Sequence, residues 1–201
     1  MTITNGYVTL ASMKNYLGIT DSIDDTLLEE IIESASRSID RIANRFFYLN
    51  STATARQYRT NDPYSLITDD IGSLTDLAIT LDTAGNGTYS TAVTINTDYL
   101  MEPLNSASLG RPWTNVTMVG AQLFPYPMNL RPGIRIVAKW GWPTVPDDIT
   151  QATLILGADL YKRKDSVGGV LGLSELGAIR MSPLGRDISA MVRAYRRESV
   201  A

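Results

Sequence analysis

The sequence predicts an α+β fold: a helical bundle with an inserted β-rich module and a C-terminal helix on a flexible arm. Three observations predict it. Apolar residues recur at steps of three and four over residues 25–46 and again over 148–164. Residues 52–140 between them turn to Thr, Tyr, Val and Ile, punctuated by Gly, Asn and Pro. Beyond residue 164, glycines come first and a short basic helical pattern follows. The expected organisation is therefore residues 1–50 and 141–164 as helical core, 51–140 as inserted module, and 165–201 as C-terminal arm and docking helix.

Thr9 is placed to cap a first helix, Leu10 to Leu17, which Gly18 ends at the position that favours a left-handed residue. Asp24 and Asp25 precede a second helix of roughly 22 residues, long enough for about six turns. Its apolar stripe is Leu28, Ile31, Ile32, Ala35, Ile39, Ile42, Ala43 and Phe46. Acidic residues (Glu29, Glu30, Glu33) come early and basic ones (Arg37, Arg41, Arg45) late, as the helix dipole favours. Burial of the stripe is worth roughly 1.5–3 kcal/mol per large side chain.

In the β module, Leu77, Ile79 and Leu81 alternate with Ala78, Thr80 and Asp82, and Tyr89, Thr91, Val93 and Ile95 alternate on the far side of a Gly/Asn turn at residues 83–88. This reads as a hairpin. Val116 and Met118 belong to another short strand. Ile134, Ile136, Ala138 and Trp140 mark a half-buried strand. The stretch Asn96 to Pro132 holds five prolines and reads as mostly loop. Pro146-Asp147-Asp148 then starts a helix to about Lys164, with Ile149, Ala152, Leu156 and Leu160 as its stripe.

Four glycines in residues 168–177 argue against helix there, yet Val170, Leu171, Leu173, Leu176, Ile179 and Met181 are apolar. Such a segment either orders against a partner or forms a glycine-bent hairpin on the chain's own core. A last helix is expected from Gly185 to Arg197, with Ile188, Met191, Val192 and Tyr195 on one side and Arg186, Arg193, Arg196 and Arg197 on the other. Residues 161–198 hold eight Lys/Arg against four Asp/Glu, in a chain whose net charge is −3.

The 201 residues include neither Cys nor His. Thiol nucleophiles, disulfides and thiolate metal sites are excluded, and the commonest general base and neutral metal ligand are missing. The expectation is a non-enzyme with no catalytic, cofactor-binding or metal residues. An acidic balance argues against affinity gained mainly through phosphates. No apolar run approaches the ~20 residues that span a bilayer. The start Met-Thr-Ile-Thr-Asn-Gly lacks the basic and apolar regions of a secretory leader, so a protein made in a cytoplasm is expected.

Helix-start charge and surface solvation explain the acidic pairs Asp24/Asp25, Glu29/Glu30 and Asp147/Asp148; at Asp69/Asp70 a cation contact is the weaker of two readings. Gly85-Asn86-Gly87 and Gly168-Gly169 lack the Gly-Lys-Ser/Thr ending of a phosphate loop. Lys162-Arg163-Lys164 reads first as a favourable helix end and second as part of a nucleic-acid grip. The terminal helix, apolar on one side and cationic on the other, suits docking into a groove of another protein.

Three stretches carry a family resemblance. They are Val8 to Gly18, Asp24 to Asp40 with Arg45-Phe46, and Gly141-Trp-Pro-Thr-Val-Pro-Asp-Asp-Ile-Thr-Gln-Ala152 with Leu160-Tyr-Lys-Arg-Lys-Asp-Ser166. Together the chain resembles the gp6-like head-tail connector, or adaptor, proteins of tailed bacteriophages. The resemblance implies a structural subunit in the neck of a virion, made in the host cytoplasm. It implies a homo-oligomeric ring, usually of twelve copies, beneath the portal protein. Such a ring extends the DNA channel without specific DNA binding and offers a platform to a tail-completion or stopper protein. The family's C-terminal segment commonly docks on the portal. By that resemblance Ile188, Met191, Val192 and Tyr195 are expected as apolar anchors, and Arg193, Arg196 and Arg197 as partners for acidic portal groups. The alternative is a small DNA-binding module using the basic C-terminal region. No membrane contact is expected.

Overall fold

The computed structural model describes residues 3–126, 131–164, 170–174, 177–180 and 185–197. The chain divides into two compact units, residues 1–48 with 145–201, and residues 49–144.

The first unit contains helices α1 (Leu10–Leu17), α2 (Asp25–Ala43), α3 (Asp147–Arg163) and α4 (Gly185–Arg193). Thr9 caps α1 by accepting from the Ser12 amide, and Gly18 ends it at φ 72°. Helix α2 is shorter than expected, because Asn44 takes a left-handed conformation (φ 53°) and stops it. Phe46 therefore falls outside the stripe, and Phe47 is the aromatic that becomes fully buried. Leu28, Ile31, Ile32, Ala35, Ile39 and Ala43 face inward as the periodicity requires. Val8, Met13, Leu28 and Ile32 form one cluster with Leu10, Leu17, Leu154 and Tyr161 against it.

Helix α3 packs through a different face from the one its large residues mark. Ile149 and Ala152 are buried as expected, but Leu156 and Leu160 are only half-buried, and Gly157, Ala158 and Asp159 take the inner positions. The reason is close approach. A Cβ at Gly157 would overlap the end of the Met13 side chain, so the small residue admits Met13 to the core.

The second unit is a six-stranded antiparallel sheet. Its strands are β1 (Thr54–Tyr58), β2 (Ser65–Leu81), β3 (Thr91–Val93), β4 (Tyr99–Glu102), β5 (Trp113–Met118) and β6 (Ile134–Trp140). The order is β1-β6-β2-β5-β4, with β3 added beside the end of β2. Ile79 pairs with both Val93 and Ile136, so β2 runs through the centre of the sheet. Ile71, Ile79, Leu81, Val116, Ile134, Ile136, Ala138 and Trp140 are buried. The hairpin turn at residues 83–88 is held by Asp82, whose carboxylate accepts from the Asn86 and Gly87 amides.

Two expectations are corrected here. The stretch from Asn96 to Pro132 contains β4 and β5 in addition to loop. The strand expected from Leu77 begins twelve residues earlier, at Ser65, and its register shifts between Ser73 and Ala78. Those shifts hide the alternation: residues 74–77 stand opposite Ala138 alone. Gly72 lies so close to Gly141 that a Cβ would come within 2.7 Å of the Gly141 carbonyl oxygen.

Beyond α3 the chain makes an antiparallel hairpin, β7 (Val170–Ser174) with β8 (Gly177–Arg180). Helix α4 then packs against α2 and α3. The expected arm is in this respect part of the helical unit. Gly168-Gly169 and Met181 lie outside the described residues.

Candidate partner-binding site

Helix α4 ends at Arg193, four residues before the expected Arg197. Ile188 and Val192 are buried, at 2% and 0% exposure, and Met191 is half-buried. The chain turns after the helix: Tyr195 donates its amide to the Val192 carbonyl and Arg196 to that of Arg193. Tyr195 thus follows the helix instead of extending its stripe. Its hydroxyl donates to Asp148 at 2.9 Å, and its ring meets Phe47 edge-on at 5.8 Å. Phe47 in turn meets Tyr7 edge-on at 5.8 Å, so three rings are joined by two contacts of the favoured T-shaped kind.

Arg197 completes the attachment. Its amide donates to the Ala43 carbonyl at 2.8 Å, and its carbonyl accepts from the Asn44 side chain at 3.3 Å. Those contacts satisfy a carbonyl at the end of α2 that has no partner inside the helix. The C-terminal residues thereby act as a cap for α2.

Of the seven residues expected at a partner site, the structure therefore uses Ile188 and Val192 within the chain's own helical unit. Both are buried where α4 lies against α2 and α3. Tyr195 and Arg197 are half-buried with the partners just named. Arg193 and Arg196 are exposed, and with exposed Asp187, Ser189, Ala190 and Ala194 they make up the outer surface of this segment.

The basic cluster at the end of α3 is partly consumed. Lys164 and the Tyr161 hydroxyl both donate to Asp24 Oδ2, at 2.6 and 2.5 Å. Arg163 pairs with the buried Asp159 at 2.6 Å. Asp24, at the N-cap position of α2, makes no capping bond and serves this clasp. Its carboxyl is held below the usual range by hydrogen bonds from Lys164 and Tyr161. On the opposite end of α2, Tyr7 donates to Asp40, and the Phe47 amide donates to the Tyr7 oxygen at 2.8 Å. Burial and the Asp40 bond push the Tyr7 hydroxyl far up.

In the sheet unit, Asp69 Oδ2 accepts from Arg56 at 2.7 Å and from the Tyr58 hydroxyl at 2.8 Å, which accounts for that carboxylate without a cation. Among the described residues no cluster of three or more Asp or Glu could hold a metal ion. No described helix is long and apolar enough to cross a membrane.

Residues 7–82 match the family model described as phage gp6-like head-tail connector protein. No curated protein sequence matches the chain significantly. Three solved structures share the fold over 100% of this chain. One is in the neck of an empty GTA particle computed with C6 symmetry (TM-score 0.55, 17% identity, 95% of that chain covered). Another is in the neck of a native GTA particle computed with C12 symmetry (0.56, 15%, 94%). A third is in the virion of a native gene transfer agent particle (0.53, 18%, 95%). Over residues 7–82 this chain is thus similar in sequence to the phage gp6-like head-tail connector model, and over its whole length its fold is similar to that of chains in GTA neck and virion structures.

Proposed function

We propose that this chain is a non-enzymatic structural subunit of a virion neck, assembled as a ring beneath a portal. The ring, of twelve copies, extends the channel through which DNA passes and offers its far side to a tail-completion or stopper protein. The observation that carries this reading is the fold shared over the full chain with neck proteins in symmetric particles, together with the connector pattern in residues 7–82. A net charge of −3 supports a conduit, because a strongly basic lumen would retain DNA.

The portal contact we assign to the outer surface of the α4 segment. Arg193 and Arg196 meet acidic portal groups, with Arg197 and Met191 at the margin. Ile188, Val192 and Tyr195 set the pose of the segment from within. A portal pull-down with the double charge reversal Arg193→Glu, Arg196→Glu tests this. Portal binding should fall at least about tenfold, and wild-type binding should weaken with added salt. Undiminished binding by the reversed variant refutes the assignment. Salt-sensitive binding to free DNA in place of portal would favour the DNA-binding reading.

A further inference from the structure

We propose that the β7–β8 hairpin of one copy adds as strands to the open rim of β1 in a second copy. This inference rests on the ring reading above and names a contact that closes it.

The hairpin cannot be complete by itself. Two antiparallel strands without a third strand or an extensive packing partner are marginal in water. Among the described residues neither strand pairs with any strand outside the hairpin, and no helix packs extensively on it. The helical unit holds no other described strand that could extend it. Its sequence is apolar beyond what a solvated loop needs, with Val170, Leu171, Leu173 and Ile179 in nine described residues.

The sheet of the other unit has three outer strands, and they differ in how they are guarded. Strand β3 is only three residues long. Strand β4 is four residues long, stops at Pro103, and carries residues 95–96 on its outer side: Ile95 bridges Tyr99, and the Asn96 amide donates to the Tyr99 carbonyl at 2.8 Å. Strand β1 has neither protection. It runs five residues in unbroken register with β6, without proline or bulge. Natural edges are commonly blunted by charged side chains. Here the one charge, Arg56, is folded back onto the sheet, 4.4 Å from the Trp140 ring and 2.7 Å from Asp69. Tyr58 is drawn to the same carboxylate. What remains exposed along β1 is Thr54, Ala55 and Gln57, small or neutral and open to strand addition. The free strands are four and five residues, and the free rim is five.

The absence of cysteine makes the test direct. Full-length chains carrying Gln57→Cys are mixed with full-length chains carrying Leu171→Cys or Ile179→Cys, assembled with portal, and oxidised. A Gln57→Cys and Ser108→Cys mixture is the control, Ser108 being exposed on another loop. At least one hairpin cysteine should give tenfold or more of the mixed disulfide over the control. A second variant, Ala55→Lys with Gln57→Lys, should keep the unfolding midpoint and lose at least tenfold in assembled rings. Rings that form with control-level crosslinking, or rings unaffected by the lysines, overturn the strand addition and leave the ring reading standing. A disulfide found only within single chains carrying both cysteines also overturns it. Chains that never assemble with portal overturn both.

Discussion

The amide of Arg197 donates to the carbonyl of Ala43 at 2.8 Å, so the last described residue of the chain closes the C-terminal end of α2. With Ile188 and Val192 buried and Tyr195 bonded to Asp148, the α4 segment belongs to the core it covers. The terminal helix is therefore structural on its inner side. Truncation at residue 184 should lower the urea midpoint markedly. Ile188→Ala alone should cost about 2–5 kcal/mol, the range for a large buried aliphatic cut to alanine. Equilibrium urea unfolding checks both.

The hydroxyl of Tyr7 sits between Asp40, to which it donates, and the Phe47 amide, from which it accepts. Tyr7→Phe keeps the ring against Phe47 but leaves the buried amide without its acceptor. The expected loss is about 1–3 kcal/mol, read from the same unfolding experiment. Tyr195→Phe removes an exposed hydrogen bond to Asp148 and should cost much less, under about 1 kcal/mol.

Asp24 and Asp40 should give opposite pH signatures. Lys164 and Tyr161 hold Asp24 below the usual carboxylate value, so its contribution is present above that value and lost as pH falls through the lowered one. Burial holds Asp40 above the usual value, against the downward pull of Tyr7 and Arg37. The folded state binds that proton more readily. Its contribution is therefore present below the unfolded value, near 4, and lost as pH rises through the raised one. Unfolding midpoints measured from about pH 3 to 6 should show a shallower acid loss for Asp24→Asn. Asp40→Asn should remove a slope of the other sign. Equal slopes in both variants would contradict the assigned environments.

Two glycines should differ in what alanine does to them. At Gly72 the added Cβ meets the Gly141 carbonyl oxygen at 2.7 Å, and backbone inside a sheet does not yield. Gly72→Ala should cost about 1–3 kcal/mol. At Gly157 the obstacle is the flexible end of Met13, and alanine gains about 1 kcal/mol of helix propensity. Gly157→Ala should be the milder change, as thermal midpoints of the two variants would show.

The helices were legible because their signals are local. Thr9 and Gly18 bracket α1, and the stripe from Leu28 to Ala43 needs only a period of 3.6. Strand β6 was legible because Ile134, Ile136, Ala138 and Trp140 alternate cleanly. The first half of β2 was not, because Asp69, Asp70, Gly72 and Ser73 interrupt the alternation, and their reasons are tertiary: Asp69 serves Arg56 and Tyr58, and Gly72 admits Gly141. Prolines 103, 112, 125, 127 and 132 concealed β4, which ends just before Pro103, and β5, which lies between Pro112 and Pro125. For α4 the amphipathic pattern was correct, but a pattern does not say whose surface covers it. The resemblance to a docking segment pointed outward, whereas Ile188 and Val192 point to the chain's own α2 and α3.

The central claim is that this chain works as a ring subunit on a portal. Electron-microscopic imaging of the full-length protein mixed with purified portal tests it most directly. The account predicts closed cyclic rings of one stacked layer on the portal, with twelve-fold averages. A chain that stays monomeric and leaves the portal bare at high protein concentration would contradict it.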